Sequence, residues 1–397
     1  MIASRRSLLG SVPALAVLSR AVVGEETPRA ADGSFDPWIE VQPDNLRHNV
    51  AEIQRRVQAR PILAVVKNNG YGLGVANAAG LLEPLPAIAG FAVVKLQEAL
   101  TLRHAGIRKP LLLMGPPAEA DLEEIVRQAI TPMVFTPVGE ALDRLAAKLQ
   151  RRIPIQVCVD TGIGRVGVPH RQAPALLRDL AARPALSIEG VMMTFSEDPE
   201  FDREQLARFR SLCDGLKQQG AVLGRLHAAS SFTLFRQPEA FLDMVRPGMA
   251  LYGAYSEPEF RHAGTLELRP AVSLKARVAY VKQLKKGDSA GYNRAYVARD
   301  DVWVATLPVG HADGWPRAAA KGARVRVGGE LYPVIASVSA SHTIVEIGPE
   351  PRVQIGDVAT LFDWQEGSRP EDVAAACGSS VYDLTMHLNP LLPRRIL

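Results

Sequence analysis

Long like-charge runs, paired cysteines and a membrane-length apolar stretch are all missing from this 397-residue chain. Its three cysteines, Cys158, Cys213 and Cys377, lie far apart and form no CxxC pair. That argues against a disulfide framework or a structural zinc site. No run of five like charges occurs, and 46 Lys+Arg stand against 42 Asp+Glu. A surplus of +4 is too small to mark a nucleic-acid binder. Hydrophobic residues at 47% and charged residues at 22% are ordinary for a folded chain and exclude a disordered one. At this length two domains are expected.

The N-terminus reads as an address. Arg5-Arg6 precedes an apolar stretch from about Leu8 to Leu18, too short to span a bilayer as a helix, which takes ~20 residues. It has the size of a signal-peptide core. Ser4-Arg5-Arg6-Ser7-Leu8-Leu9 resembles a twin-arginine signal, and Arg20 after the apolar stretch fits that type. Residues 1–24 are therefore expected to be a signal, 25–37 a linker, and the mature chain periplasmic with no stable membrane association. Only Arg5, Arg6 and Arg20 are charged before Glu25, so removing 1–24 takes Lys+Arg from 46 to 43 against 42 acids, or +1. The basic surplus belongs mostly to the address, and nothing in the mature chain asks for nucleic acid.

From about residue 45 to 267 short apolar runs alternate with helix-period segments. The runs are Ile62–Val66, Phe91–Val94, Leu111–Met114, Met133–Phe135, Ile155–Val159, Ile188–Met193, Leu226–Ala229 and Met249–Leu251. Eight such strands, Val/Ile/Leu-rich because parallel strands are covered on both faces, predict a (β/α)8 barrel over 38–267. After Pro270 strand-like segments follow one another through turns such as Lys286-Gly287-Asp288 and Gly328-Gly329. They predict a β-rich second domain over 268–397, with the strand at 38–43 a candidate to pack on it.

Lys67 closes the first of these runs and is followed by Asn68-Asn69-Gly70-Tyr71-Gly72-Leu73-Gly74. Barrel active sites lie at the C-terminal ends of strands. A lysine there, in apolar surroundings, is a usable nucleophile or base. Alone it would read as a solvated strand end.

It is not alone. Ala64-Val-Val-Lys-Asn-Asn-Gly-Tyr-Gly-Leu-Gly74 resembles the pyridoxal-phosphate lysine motif of the alanine racemase family. Trp38-Ile-Glu-Val with Asn45-Leu-Arg-His-Asn, Asp160-Thr-Gly-Ile-Gly-Arg-Val-Gly167, His227-Ala-Ala-Ser-Ser231 and Val245-Arg-Pro-Gly-Met-Ala-Leu-Tyr-Gly253 continue the resemblance. Gly291-Tyr292 and Thr306-Leu-Pro-Val-Gly-His-Ala-Asp-Gly-Trp-Pro-Arg317 extend it into the second domain. Each piece is weak, but their order over most of the chain is specific.

The resemblance implies roles. Lys67 would carry pyridoxal 5'-phosphate (PLP) on its amine. Tyr71, Ser231 and the N–H groups of Gly248 and Met249 would hold its phosphate. Arg246 would face the pyridine nitrogen, and Arg165 the cofactor ring oxygen or the substrate carboxylate. Racemisation removes a proton from one face of Cα and returns one to the other, so it takes two bases. The resemblance implies Lys67 and Tyr292, the latter from the partner of a homodimer whose active sites are shared. The substrate would be a small amino acid.

Several residues depart from the family pattern. Thr194 stands for a histidine, Cys158 for a lysine that orients the arginine, and Ala340 and Ser341 for a Met and an Asp bordering the substrate. His311 replaces a tyrosine that narrows the access channel, and Asn389-Pro-Leu-Leu-Pro-Arg394 lacks the first of two arginines. Cys158 itself reads as a core thiol. Together these changes imply a wider pocket that takes amino acids larger than alanine, as in the family's exported racemases of broad specificity, or a different preferred substrate. The alternatives are another PLP enzyme on this fold (a decarboxylase, or a D-amino-acid aldolase or dehydratase) or a catalytically altered PLP-binding relative. No Cys-Glu-Ser motif is present, and the spacing of Cys377 and His387 does not suit a metal pair.

Overall fold

The computed structural model describes residues 33–397. The expected signal, and all but the last residues of the expected linker, lie outside them. Seven strands run parallel in the order Ile62–Val65, Ile88–Val93, Leu111–Leu113, Ile130–Val134, Ile153–Asp160, Leu186–Met192 and Arg225–His227. Helices such as Pro43–Arg56, Gly139–Leu149 and Pro199–Gln218 form the outer ring. The strand residues are almost all buried, as expected of strands sealed between a filled interior and covering helices.

The eighth stave corrects the sequence reading. Met249–Leu251 is not a strand; Met249–Tyr252 is a 3-10 turn. The barrel is closed one step earlier. The Leu63 and Val65 N–H groups donate to the carbonyls of Val245 (2.9 Å) and Pro247 (2.9 Å). On the other edge the N–H of Asp243 donates to Leu226 O (3.0 Å) and that of Arg246 to Ala229 O (2.8 Å). Pro247 has no N–H to give, so the pairing is irregular and the chain leaves it at once for the turn. The apolar Met-Ala-Leu-Tyr run is buried as a turn rather than as a strand.

The second domain is a nine-stranded sheet. Its order is Tyr280–Leu284, Val302–Leu307, Thr343–Gly348, Glu330–Ile335, Arg324–Val327, Val358–Phe362, Val272–Arg277, Trp38–Val41 and Arg394–Ile396. Neighbours are antiparallel except the last pair, which is parallel. Trp38–Val41 therefore lies between Val272–Arg277 and the C-terminal strand. Two helices unforeseen from the sequence, Pro370–Cys377 and Val381–Met386, lie between the strands Val358–Phe362 and Arg394–Ile396. One apolar core runs from Ile39 through Val66 and Tyr71 to Leu384 and Leu392, so the second domain is seated on the barrel beside the Lys67 segment. Among the described residues no helix is long and apolar enough to cross a membrane.

Candidate active site

Lys67 leaves the barrel strand Ile62–Val65 half-buried at its C-terminal end. Burial, and then the Arg165 cation, lower its pKa from the ordinary 10.5; Glu98 opposes the shift. The amine is thus neutral, and nucleophilic, at a lower pH than on a solvated lysine. The backbone after it stays left-handed from Asn68 to Gly72, with Tyr71 at φ +53°. A non-glycine residue costs roughly 1–2 kcal/mol there, asparagine least. That winding buries the Tyr71 ring against Tyr252, with centroids 4.8 Å apart. Its hydroxyl lies so close to Gly248 that a Cβ there would overlap it. Glycine is required at 248 for that approach.

The anion cradle forms around the corrected turn. Ser231 Oγ accepts from the N–H groups of Gly248 (3.0 Å) and Ala250 (3.1 Å), so the hydroxyl sits at the N-terminal end of the Met249–Tyr252 turn. Of the expected phosphate amides, the structure therefore gives Gly248 to the serine hydroxyl. The Tyr71 and Ser231 hydroxyls, gathered at the N-terminal end of this turn, suit a phosphate dianion.

Arg246 is buried behind this cradle. Its Nη1 donates to His227 Nδ1 (2.9 Å) and His227 O (2.8 Å). Its Nη2 donates to Met193 O (2.7 Å) and Ala228 O (3.5 Å). Four η protons are thereby used among the described residues, and Nε–H is left for a ligand. His227 is held well below its usual pKa by burial and then by Arg246, so it is neutral. Its Nε2 pairs with Gln156 Oε1 at 2.8 Å, which leaves Nδ1 to accept from the arginine. Burial lowers Arg246 to about 10, still cationic at neutral pH. These groups fit PLP: a low-pKa amine, a phosphate cradle, and a fixed N–H donor without a carboxylate.

Arg165 is exposed on the Asp160–Gly167 loop. Asp160 Oδ1 accepts from Gly162 N (2.9 Å) and Gly164 N (3.2 Å), and Arg208 Nη1 donates to Thr161 O (2.7 Å). The loop is clamped through its backbone. Cys158, at the position of the family's lysine, is buried with its thiol pushed up to about 11, and its Sγ lies 3.7 Å from Val166 O. Thr194 offers its carbonyl to Gln205 Nε2 (3.3 Å).

The remaining expected residues gather on the second domain. The N–H of His311 donates to Ser339 O (3.0 Å) and that of Ala312 to Ala340 O (3.0 Å), so the turns carrying His311, Ala340 and Ser341 interlock. Tyr292 borders an open depression of about 340 Å³ with Ser339 and His342. Its side chain is 73% exposed. All the residues lining that depression belong to the second domain, and Lys67 is not among them. The sequence reading missed Tyr382. Its ring lies 6.5 Å from that of Tyr71, and burial raises its hydroxyl to about 12. No motif signalled it; it reaches the site on an unforeseen helix.

Residues 41–256 match the N-terminal domain of alanine racemase and residues 271–396 its C-terminal domain. The chain belongs to the alanine racemase family. It is 32% identical to the alanine racemase of Desulforamulus reducens over 90% of this chain and 98% of that one. The Chlorobaculum tepidum enzyme shares 33% over 86% and 90%. Among solved structures, alanine racemase of Bacillus anthracis with bound L-Ala-P superposes with a TM-score of 0.82 at 30% identity, covering 92% of this chain and 95% of that one. Alanine racemase of Clostridium difficile gives a TM-score of 0.85 at 26% identity, covering 92% and 96%. The protein is a racemase, an isomerase of amino acids, on the barrel-plus-β-domain fold of a PLP-dependent family.

Proposed function

We propose that this racemase works as a homodimer with shared sites, carries PLP on Lys67, and accepts amino acids larger than alanine. The observation that carries this reading is the separation of its two bases. Lys67 is recessed at the barrel mouth, while Tyr292 stands out to solvent beside a depression lined by second-domain residues. A partner's Tyr292 over each Lys67 completes a pair that can work on both faces of a substrate Cα.

PLP, when bound, draws electron density from the substrate Cα and makes its proton removable. Tyr71, Ser231 and the turn that begins at Gly248 and Met249 would hold its phosphate. Arg246 offers Nε–H and keeps its proton, so electron withdrawal is moderate, which suits proton exchange over deeper carbanion chemistry. Arg165 offers a fixed cation to the substrate carboxylate. Lys67 Nζ and Tyr292 Oη each take a proton from, or return one to, one face.

Substrate range rests on what replaces bulk. Ala340 and Ser341 are small and exposed, and His311 stands on the turn beside them. Purified enzyme should racemise at least one of L-Lys, L-Arg, L-Met and L-Leu with kcat/KM within about 10²-fold of L-Ala, the discrimination an apolar pocket readily provides. Turnover of alanine alone would reject the wider pocket.

The compartment is proposed from the sequence pattern of Arg5, Arg6 and Leu8–Leu18. A twin-arginine route moves folded proteins, so PLP could be inserted before transport. Arg5→Lys with Arg6→Lys should shift racemase activity from the periplasmic to the cytoplasmic fraction. An unchanged distribution would reject export by that route.

A further inference from the structure

The turn that carries Lys67 and Tyr71 is gripped by two charged side chains, one from a barrel helix and one from the C-terminal strand. Glu98, buried in the helix Leu96–His104, places Oε1 at 3.1 Å from the Asn69 N–H. Its Oε2 accepts from Val94 N (3.3 Å) and Lys95 N (3.2 Å). Arg394, in the C-terminal strand Arg394–Ile396, donates from Nη2 (2.9 Å) and Nε (3.3 Å) to the Gly72 carbonyl. Its Nη1 donates to Asn389 O (3.0 Å) and Pro390 O (2.7 Å).

Both side chains act on a backbone that L-residues resist. φ is +52° at Asn68, +56° at Asn69, +53° at Tyr71 and +88° at Gly72. Such a turn persists only where its surroundings over-determine it. Within it, Asn69 Oδ1 accepts from Val75 N at 3.1 Å. A Cβ on Gly72 would overlap the Thr385 carbonyl, which packs the C-terminal helix against the same point. The chemistry of each grip is specific. A carboxylate is all acceptor and can serve three N–H groups, whereas glutamine turns an NH₂ toward them. The Arg394 fork reaches the carbonyls of Gly72, Asn389, Pro390 and Leu392 in fixed directions, which a lysine point charge does not.

We propose that Glu98 and Arg394 are the positioning residues of the Lys67–Gly72 turn, so that docking of the C-terminal strand sets how firmly the cofactor is held. Lys67 Nζ and Tyr71 Oη ride on the two ends of that turn, one for the covalent link and one for the phosphate. The proposal rests on the PLP reading given above.

The test uses the full chain as holoenzyme, with Glu98→Gln, Arg394→Lys and the double variant. PLP release is followed with a phosphatase that destroys the free cofactor. Hydrogen–deuterium exchange over residues 66–76 is measured without PLP. Each single variant should speed release about tenfold or more, the scale of a lost charge-assisted hydrogen bond. Each should deprotect 66–76 selectively. The double variant should fall short of the product of the two single effects, because both act on one element. Unchanged exchange at 66–76 in either folded variant would overturn the proposal, and so would release rates that multiply as independent sites do. The two residues reach the turn from separate domains, so if one variant fails to fold the other decides. Wild-type chain that takes up no PLP would refute the cofactor reading, while the exchange comparison would still judge the grip.

Discussion

Lys67→Ala should lower kcat for L-alanine racemisation by about 10³-fold or more, because the change removes both a base and the covalent anchor. The variant should also lose PLP on gel filtration, since the phosphate cradle alone keeps only non-covalent contacts. The depressed pKa of Lys67 adds a directional expectation. A lowered folded-state pKa keeps the amine neutral at pH values where a solvated lysine is still an ammonium. PLP uptake by the cofactor-free chain should therefore accelerate with pH through a midpoint below the usual 10.5. Retention of more than a tenth of the activity in Lys67→Ala would contradict the assignment.

Tyr292→Phe should separate the two faces of the reaction. Loss of one acid–base group costs about 10²–10⁴-fold in the step it serves. Exchange of the α-proton with solvent deuterium should collapse from one enantiomer and persist from the other, while PLP absorbance is retained. The exposure of Tyr292 matters here: its side chain touches little of its own subunit, so the change should leave folding intact. Unchanged racemisation in both directions would reject the role.

Much of this architecture was legible because its physics is local. Ile62–Val65 and Ile153–Asp160 are apolar along their length, and that pattern is what a parallel strand covered on both faces demands. The eighth stave was not legible. Its pairing residues run Val245-Arg246-Pro247, one cation and one residue without an amide, and nothing in that triplet reads as a strand. The apolar run that did read as one, Met249–Leu251, is instead the turn that holds Ser231.

The candidate catalytic residues are marked by motif order, and the groups that hold them are not. No motif marks Glu98, which is buried against the Asn69 amide. Gln156 and His227 are 71 positions apart, and only the barrel makes them neighbours. Tyr382 sits in a short helix, Val381–Met386, whose place beside Tyr71 depends on the second domain docking on the barrel. Side chains that act through another residue's backbone leave no spacing signature, because their partners are set by tertiary contact.

The central claim is that each active site joins Lys67 of one subunit to Tyr292 of another. Mixing the two inactive variants, Lys67→Ala and Tyr292→Phe, tests it most directly. In a symmetric dimer reassorted at equal ratio, half the molecules are mixed, and each mixed molecule has one intact site and one doubly defective site. Racemase activity should return to about a quarter of the wild-type value from two inactive parents. No recovery after verified subunit exchange would contradict the shared site.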